Sequence, residues 1–304
     1  MRHVSRSARH FARCFIACLL VCSVATAALA VSASAQPDEL LIGIEPEHNI
    51  FDQMERYRTL ADYLSEQLGV KVKLTIMSRY GEVIKRFRTL RLDGAFLTSY
   101  TATMGIKELH LEPIASPVNL YGASTSQGYI FVRKDSGIRS MIDMKGGSIV
   151  FVDPATMEGY LFPLVFLAQH GVKNINEFFH DYYFSGSHAS AIFTVLDGRA
   201  DIGAAKSTVF DQLVKSDPSI GQELDIIAQS PKAPEVTLCI KSEISQNLRE
   251  RLTRVLLHMD KTVAGKNVLQ QFKAQGFVKS NTEDFAIIEK MAQESLGSLT
   301  VHGK

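Results

Sequence analysis

The side chains with the clearest capacity for binding chemistry lie where an apolar run gives way to a turn and then to a helical pattern. Residues 148–152 predict a buried strand that Pro154 cannot continue. Thr156 is suited to be the N-cap of a helix that closes at Gly171. A helix start carries free N–H groups and partial positive charge, so this turn can hold an anion or a polar ligand. A strand–helix connection without a ligand is the alternative interpretation.

Residues that could support catalysis are not grouped into a recognisable motif. The sequence has no His-x-x-x-His pair, no Gly-x-x-x-x-Gly-Lys-Ser/Thr loop and no Gly-x-Ser-x-Gly elbow. Cys239 lies in an apolar strand pattern that indicates packing. Asp153 and His170 have the chemistry for acid–base work, but a histidine at a helix end is typically solvated or capping. We therefore predict no enzymatic activity, no metal site and no cofactor.

The first 35 residues are predicted to be a signal peptide. Basic residues before Phe15 precede an apolar stretch over residues 15–30, and Ala33-Ser34-Ala35 fits a cleavage site before Gln36. The apolar stretch is shorter than a membrane span of ~20 residues, although an uncleaved anchor is the alternative. We therefore expect a periplasmic protein. Cys239 is then the one cysteine of the mature chain, which excludes an intramolecular disulfide.

Charge and composition narrow the class of protein further. The chain has 304 residues and a net charge of +1, without the basic footprint that nucleic-acid binding leaves, so we predict no nucleic-acid partner. Its 46% hydrophobic content suits a globular protein with a core. The length of the mature chain suits two lobes of ordinary domain size, and we expect a monomer.

Hydrophobic patterning predicts an α/β protein with two lobes. Strand and helix patterns alternate over residues 40–97 and again over residues 127–228, which indicates in each lobe a mostly parallel sheet flanked by helices. Among these elements we predict a strand over residues 178–184, and apolar spacing further predicts a helix over residues 247–269. Lobe one is predicted to be discontinuous, with lobe two inserted into it, so that two crossing strands form a hinge. The predicted bounds are 36–128 and 236–304 for lobe one and 129–235 for lobe two. A cleft between two such lobes is a typical ligand site.

Several short stretches, in this order, carry a resemblance to a known family. They are Tyr80 before a helix, Asp93-Gly94-Ala95-Phe96 before Ser99-Tyr100, residues 133–138, residues 143–146, Asp153-Pro154 with Gly159, and Gly186-Ser187-His188. Together they resemble the PhnD-type periplasmic binding proteins, which serve ABC importers of phosphate, phosphite and phosphonates. The resemblance covers nearly all of the mature chain. It implies the two-lobed type II periplasmic-binding fold, a small oxyanion ligand and an ABC permease partner.

The resemblance also implies which residues bind the ligand. Tyr80 falls at a tyrosine of the family site and His188 at its histidine. Lobe one would further offer the Ser99–Tyr100 loop, and lobe two the helix starts at Thr156 and at Ser187. Ser126, near the hinge, stands where some members carry tyrosine.

The anion-binding turn departs from the family pattern. Its usual Ser-Thr-Ser is Thr156-Met157-Glu158 here, so one hydroxyl remains where three are usual. Two like charges ~4 Å apart at an effective dielectric of ~20 cost on the order of 4 kcal/mol, about half of a micromolar affinity of about 8 kcal/mol. Glu158 therefore either weakens the binding of a dianion or points away and caps the helix.

A second departure concerns the acidic residues that aminophosphonate-binding members use for the ligand amine. One of these positions falls near Thr208, which is not acidic, and the other near Glu235, while Lys206 adds a positive charge. The ligand is therefore left open between a small phosphonate-like oxyanion and a ligand with charged and apolar parts. An alternative function is a sensory module that presents a non-phosphonate ligand to a membrane histidine kinase.

Overall fold

The structure, a computed structural model, describes residues 39–47 and 50–298. The predicted signal peptide and its cleavage site lie outside these residues. Within the described ranges, each helix is too short or too polar to cross a membrane.

The strands form two large sheets and one small sheet. In chain order they are β1 (Glu39–Ile44), β2 (Lys71–Ile76), β3 (Gly94–Thr98), β4 (Leu111–Asn119), β5 (Thr125–Ser126), β6 (Gly128–Arg133), β7 (Ser148–Phe151), β8 (Asp181–Phe184), β9 (Ile202–Lys206), β10 (Leu224–Gln229), β11 (Ala233–Pro234), β12 (Val236–Lys241) and β13 (Ala274–Lys279). The first sheet has the order β13-β4-β12-β3-β1-β2, the second has the order β10-β6-β9-β7-β8, and the small sheet pairs β11 with β5.

Helices connect most of these strands. In chain order they are α1 (Ile50–Leu68), α2 (Val83–Thr89), α3 (Ser99–Leu109), α4 (Phe162–Gln169), α5 (Ile175–Phe178), α6 (His188–Leu196), α7 (Ser207–Ser216), α8 (Pro218–Glu223), α9 (Gln246–Leu257), α10 (Val263–Phe272) and α11 (Ala286–Ser298). A π-helical turn, Met157–Leu161, directly precedes α4.

Most strands of each large sheet run in one direction, as predicted, but each sheet also contains antiparallel pairs and is therefore mixed. In the first sheet β1 pairs in parallel with β2 and β3, but β12 lies antiparallel between β3 and β4. In the second sheet β7 pairs in parallel with β8 and β9, but β6 lies antiparallel between β9 and β10. Strands β6 and β12 are the ones that arrive from the other lobe, and they enter each sheet from the cleft side, so they run against their neighbours.

Two crossing segments join the lobes, as the patterning predicted. The chain leaves the first sheet through β5 and returns through β11, and these two short strands pair antiparallel, with Ser126 opposite Ala233. The α/β, two-lobed architecture with a two-strand hinge is therefore confirmed. The residue bounds of the lobes stay a prediction.

The central strands of both sheets carry small residues and are buried along their whole length. Every residue of β3 and every residue of β9 is buried. Gly94 and Ala95 in β3, and Gly203 and Ala204 in β9, leave room for close neighbours: a Cβ on Gly94 would lie 2.9 Å from the carbonyl oxygen of Cys239. Each of these strands ends at the cleft, so the residues that follow it are held rigidly.

The C-terminal helix contacts elements of both lobes. Helix α11 packs against α3, which follows the first sheet's β3, and against α4, which follows the second sheet's β7. Phe285, Ile288 and Met291 share one apolar cluster with Leu97 and Phe151. The two lobes are thus joined by packing as well as by the hinge strands.

Three segments differ from the patterning. Strand β13 was not predicted, and the helix predicted over residues 247–269 is interrupted by a 3-10 turn at Met259–Lys261, after which Thr262 caps α10. The strand predicted over residues 178–184 is shorter, because α5 ends at Phe178 and β8 begins at Asp181. A short helix followed by a short strand has too few residues for periodicity to separate them.

Gly159 is required where the helix start presses against β7. The backbone N–H of Val152 donates to the carbonyl oxygen of Gly159 at 3.1 Å. A Cβ on Gly159 would overlap the Val152 side chain. The turn over residues 153–158 is therefore held close to the strand that precedes it.

We predict that Gly159→Ala lowers the free energy of unfolding by about 1–3 kcal/mol, because the added methyl has no space. Urea denaturation followed by circular dichroism measures this. Gly276→Ala is the matched control, because the nearest atom to its Cβ, the Cβ of Asp260, is 3.8 Å away. Equal losses in the two variants would contradict the close approach.

Candidate functional site

The cleft is built from the carboxyl ends of strands in both sheets. Parallel strands bring the residues that follow them to one edge of the sheet. In the first lobe Glu45 and Glu47 follow β1, and Ser99 follows β3. In the second lobe Lys206 ends β9, and His188 begins α6 after β8.

An ion pair joins the two lobes across this cleft. The ammonium Nζ of Lys206 lies 2.5 Å from Oε1 of Glu47, and the Lys206 side chain is only 1% exposed. Burial by itself lowers the pKa of Lys206, but the carboxylates of Glu47, Glu158 and Glu235 outweigh it and raise that pKa above its ordinary value. The ammonium therefore stays charged although it is buried.

Glu158 points into the protein and contacts the hinge. Its carboxylate accepts a hydrogen bond of 2.7 Å from the Ser126 hydroxyl, and the residue is 1% exposed. Burial raises the pKa of Glu158, opposed by the ammonium of Lys206 and the Ser126 hydrogen bond. Ser126, predicted as a ligand residue, thus serves Glu158 in this arrangement.

The other two residues of the turn have different surroundings. Thr156 is at the N-cap position, as predicted, but its hydroxyl makes no cap bond and donates instead to the carbonyl oxygen of Asp153 at 2.7 Å. Met157, predicted as a ligand contact, is fully buried in an apolar cluster with Leu161 and Phe151. Its thioether therefore packs in the core in this arrangement.

His188 and Tyr80 meet where the lobes contact each other. Their rings lie edge to face with centroids 6.3 Å apart. The backbone N–H of Lys206 donates to Nδ1 of His188 at 3.0 Å, so the ring proton belongs on Nε2. Burial and the Lys206 charge lower the pKa of His188, which keeps the ring neutral. Nε2 is buried and has no hydrogen-bond partner among the described residues.

Two more buried oxygens beside the cleft lack a partner in the part of the chain that the structure describes. They are the hydroxyl of Ser99 and Oε1 of Glu45. The other oxygen of Glu45 accepts from the Thr98 backbone N–H at 2.8 Å and from the Thr101 hydroxyl at 2.6 Å. Buried polar atoms are normally hydrogen-bonded, so these unpaired atoms mark a place where a polar ligand gains contacts.

A cavity of about 160 Å³ lies beside the Lys206 ion pair. Its lining includes Glu47, Arg56, Asn119, Lys206, Thr208, Glu235 and Lys273. Glu235 accepts hydrogen bonds from the Thr208 hydroxyl at 2.7 Å and from the Asn119 amide at 3.3 Å. Three predicted site residues, Lys206, Thr208 and Glu235, are thus brought together at this cavity.

Two predicted site residues serve local structure. Ser187 is the N-cap of α6 and accepts from the Ser190 backbone N–H at 3.1 Å. Tyr100 is partly buried against the apolar cluster that contains side chains of both lobes.

Sequence reasoning missed Glu45 and Glu47. Both follow β1 in the stretch Glu45-Pro46-Glu47, and the rule that ligands bind beyond the carboxyl ends of strands would have identified them. Within the described ranges, no group of three His, Cys, Asp or Glu side chains is placed to hold a metal ion.

Known proteins are similar to this chain in sequence and in fold. The model of a protein family described as "ABC transporter, phosphonate, periplasmic substrate-binding protein" matches residues 42–285. The probable ABC transporter phosphite binding protein PhnD1 of Prochlorococcus marinus is 24% identical over 272 residues, which are 86% of this chain and 91% of that protein. The phosphate-import protein PhnD of Mycolicibacterium smegmatis is 26% identical over 258 residues, 78% of this chain and 80% of that protein. The solved structure of P. marinus PhnD1 in complex with methylphosphonate has a TM-score of 0.72 at 23% identity, covering 85% of this chain and 98% of that chain.

We predict that Glu45 makes stability depend on pH. Burial raises the pKa of its carboxyl from 4.5 to about 7, so the folded protein holds a proton that the unfolded chain releases. The contribution of Glu45 to stability is full below pH 4.5 and is lost as pH rises through about 7. The loss amounts to about 3 kcal/mol.

The substitution Glu45→Gln should remove this pH-dependent contribution to the free energy of unfolding. The free energy of unfolding of the variant, relative to the unmodified protein, should rise by about 3 kcal/mol between about pH 5 and pH 8. Urea titrations at several pH values measure it. Glu55→Gln, at an exposed position of α1, is the control and should give a constant difference. A constant difference for Glu45→Gln as well would contradict the prediction.

Proposed function

The chain belongs to the periplasmic substrate-binding proteins of phosphonate ABC transporters, and from this membership we propose that it captures a small phosphorus oxyanion between its lobes and delivers it to an ABC importer. The ligand class is phosphonate, phosphite or phosphate. Residues 1–35 act as the signal peptide that directs export, and the protein then acts as a monomer in the periplasm. It catalyses no reaction. P. marinus PhnD1, to which it is similar, was solved in complex with methylphosphonate.

The observation that carries this proposal is a set of buried, unpaired polar atoms on residues that follow strands of both lobes, within the described ranges. Nε2 of His188 carries a proton, and the hydroxyl of Ser99 is a donor, and both are buried without a partner in the described ranges. Both are donors suited to an oxyanion. They come from different lobes, so a ligand that uses both bridges the cleft.

Hinge closure couples this binding to transport. The Lys206–Glu47 ion pair already joins the two lobes, and Thr208 of the second lobe donates a hydrogen bond to Glu235 in the hinge. A ligand that gains contacts with both lobes favours the closed form. The permease then recognises the closed shape.

The carboxyl of Glu158 is compatible with an anionic ligand when it is protonated. Burial raises its pKa, which favours the neutral form near the cleft. A protonated carboxyl donates a hydrogen bond to an oxyanion, whereas a carboxylate repels it.

The decisive experiment measures the binding of methylphosphonate, phosphite and phosphate by calorimetry. Ser99→Ala should weaken methylphosphonate binding between about tenfold and a hundredfold, the usual worth of a hydrogen bond to a charged group. It should leave the free energy of unfolding unchanged within about 0.5 kcal/mol, because the hydroxyl has no partner to lose.

Ser148→Ala is the matched control for Ser99→Ala. Ser148 is the first residue of β7 and lies at the end of the strand away from the cleft. Its hydroxyl donates to the carboxylate of Asp201 at 2.7 Å. Ser148→Ala should lower the free energy of unfolding and leave the affinity for methylphosphonate unchanged. Unaltered binding in Ser99→Ala would overturn the site, and no binding of any phosphorus oxyanion by the unmodified protein would overturn the function.

We further predict that Glu158 makes oxyanion affinity fall as pH rises. The folded-state pKa is raised, so ionisation occurs above the ordinary range of a glutamate and places a negative charge beside the ligand. In Glu158→Gln the affinity for methylphosphonate at high pH should exceed that of the unmodified protein by at least about tenfold.

Both proteins are measured with the same ligand, so the effect of the ligand's own ionisation on affinity cancels in the comparison. Glu66→Gln, exposed on α1, serves as the control and should follow the unmodified protein. Parallel pH profiles for Glu158→Gln and the unmodified protein would show that Glu158 does not face the anion.

A further inference from the structure

The ammonium of Lys206 lies among three carboxylates. Glu47 contacts it directly at 2.5 Å, and Glu158 and Glu235 are the next charges that act on it. We call Glu47, Glu158 and Glu235 the carboxylate cage. Glu47 follows β1 of the first lobe, Glu235 lies in the hinge between β11 and β12, and Glu158 comes from the turn of the second lobe.

Lys206 is the cation that serves this cage. Burial raises the pKa of both Glu158 and Glu235, and the ammonium opposes this rise, so it offsets part of the cost of a negative charge on either carboxyl. The other two cations at the cavity are engaged elsewhere, because Arg56 and Lys273 both pair with Asp52, at 2.6 Å and 3.6 Å.

The backbone fixes Lys206 in this position. Its N–H donates to Nδ1 of His188, whose opposite nitrogen is the buried, unpaired donor of the proposed ligand site. This hydrogen bond therefore makes neighbours of the cage cation, at the end of β9, and the oxyanion donor, at the start of α6.

We propose that Lys206 is a specificity-determining residue whose tethered ammonium fills the cation position of the cleft, so that the ligand is a phosphorus oxyanion without an ammonium group. This inference rests on the proposed function for the anion and on the cage geometry for the cation. A ligand ammonium meets the Lys206 ammonium as a like charge and finds its carboxylate partner already taken.

The cage can be tested without any phosphorus ligand. Lys206→Met keeps the length of the side chain and removes the charge, which leaves the carboxylates uncompensated and lowers Tm by roughly 10 °C. Free ammonium chloride should then supply an ammonium ion to the position that Nζ vacates and raise the Tm of the variant by roughly 3 °C once its concentration exceeds its dissociation constant about tenfold. Sodium chloride at equal ionic strength should not.

The controls separate this rescue from a general salt effect. Ammonium chloride should not stabilise the unmodified protein beyond sodium chloride. It should also not stabilise Lys71→Met, a variant at an exposed lysine at the start of β2, away from the cleft. If Lys206→Met does not fold, the double variant Lys206→Met with Glu47→Gln removes one carboxylate and should fold, with weaker rescue. Absence of any rescue beyond sodium chloride in the variant that folds overturns the cage.

The ligand arm compares methylphosphonate with 2-aminoethylphosphonate by calorimetry. The unmodified protein should bind methylphosphonate at least about tenfold more tightly, and Lys206→Met should reduce or reverse this ratio by about tenfold or more. An unchanged ratio overturns the role of Lys206 in specificity. If the unmodified protein binds neither compound, the ligand part of this inference is overturned, and if it also binds neither phosphite nor phosphate, the proposed function is overturned as well. Rescue by ammonium decides the cage in either case.

Discussion

The cleft depends on one buried positive charge. An ammonium that loses its water is tolerated only when carboxylates replace that water, and for Lys206 the directly contacting carboxylate is Glu47, on the opposite lobe. Separating the lobes removes this partner and requires water to take its place. The charge balance of the site and the relative position of the lobes are therefore one equilibrium, and a ligand that alters either one alters both.

Chain topology explains why these charges meet. Strands β1 to β4 run towards the cleft in one lobe and β7 to β10 in the other, while β12 and β6 run away from it. Every strand that runs towards the cleft delivers its last residue to the same edge, which is where Glu45, Asn119 and Lys206 lie. The fold therefore concentrates polar groups at the surface that the partner lobe can cover.

Hydrophobic patterning predicted the helices and strands that are buried either on one face or along their whole length. Strand β3 and helix α1 follow directly from apolar spacing, because each has a continuous buried stripe. Strand β13 was missed because Ala274, Gln275 and Gly276 have little intrinsic strand preference, and its pairing with β4, remote in sequence, decides its structure. The interruption at Met259–Lys261 was missed because apolar spacing continues through it.

The site was predictable to the extent that it follows from strand ends and from the family resemblance. Tyr80 and His188 do lie together, and Lys206, Thr208 and Glu235 share a cavity. The partner of Lys206 could not be predicted, because a contact between residues 47 and 206 depends on how two lobes meet. The separate directions of Met157 and Glu158, one into the core and one to the hinge, depend on the π-helical turn, which carries no sequence signature of its own.

The packing of helix α11 makes the opening of the hinge depend on temperature. Its apolar residues share a cluster with side chains of both lobes, and Tyr80 of the first lobe packs with Val150 and Val152 of the second. Parting the lobes at these contacts exposes apolar surface to water. Closure is therefore accompanied by a negative change in heat capacity, and the balance between open and closed forms shifts with temperature even when no ligand is added.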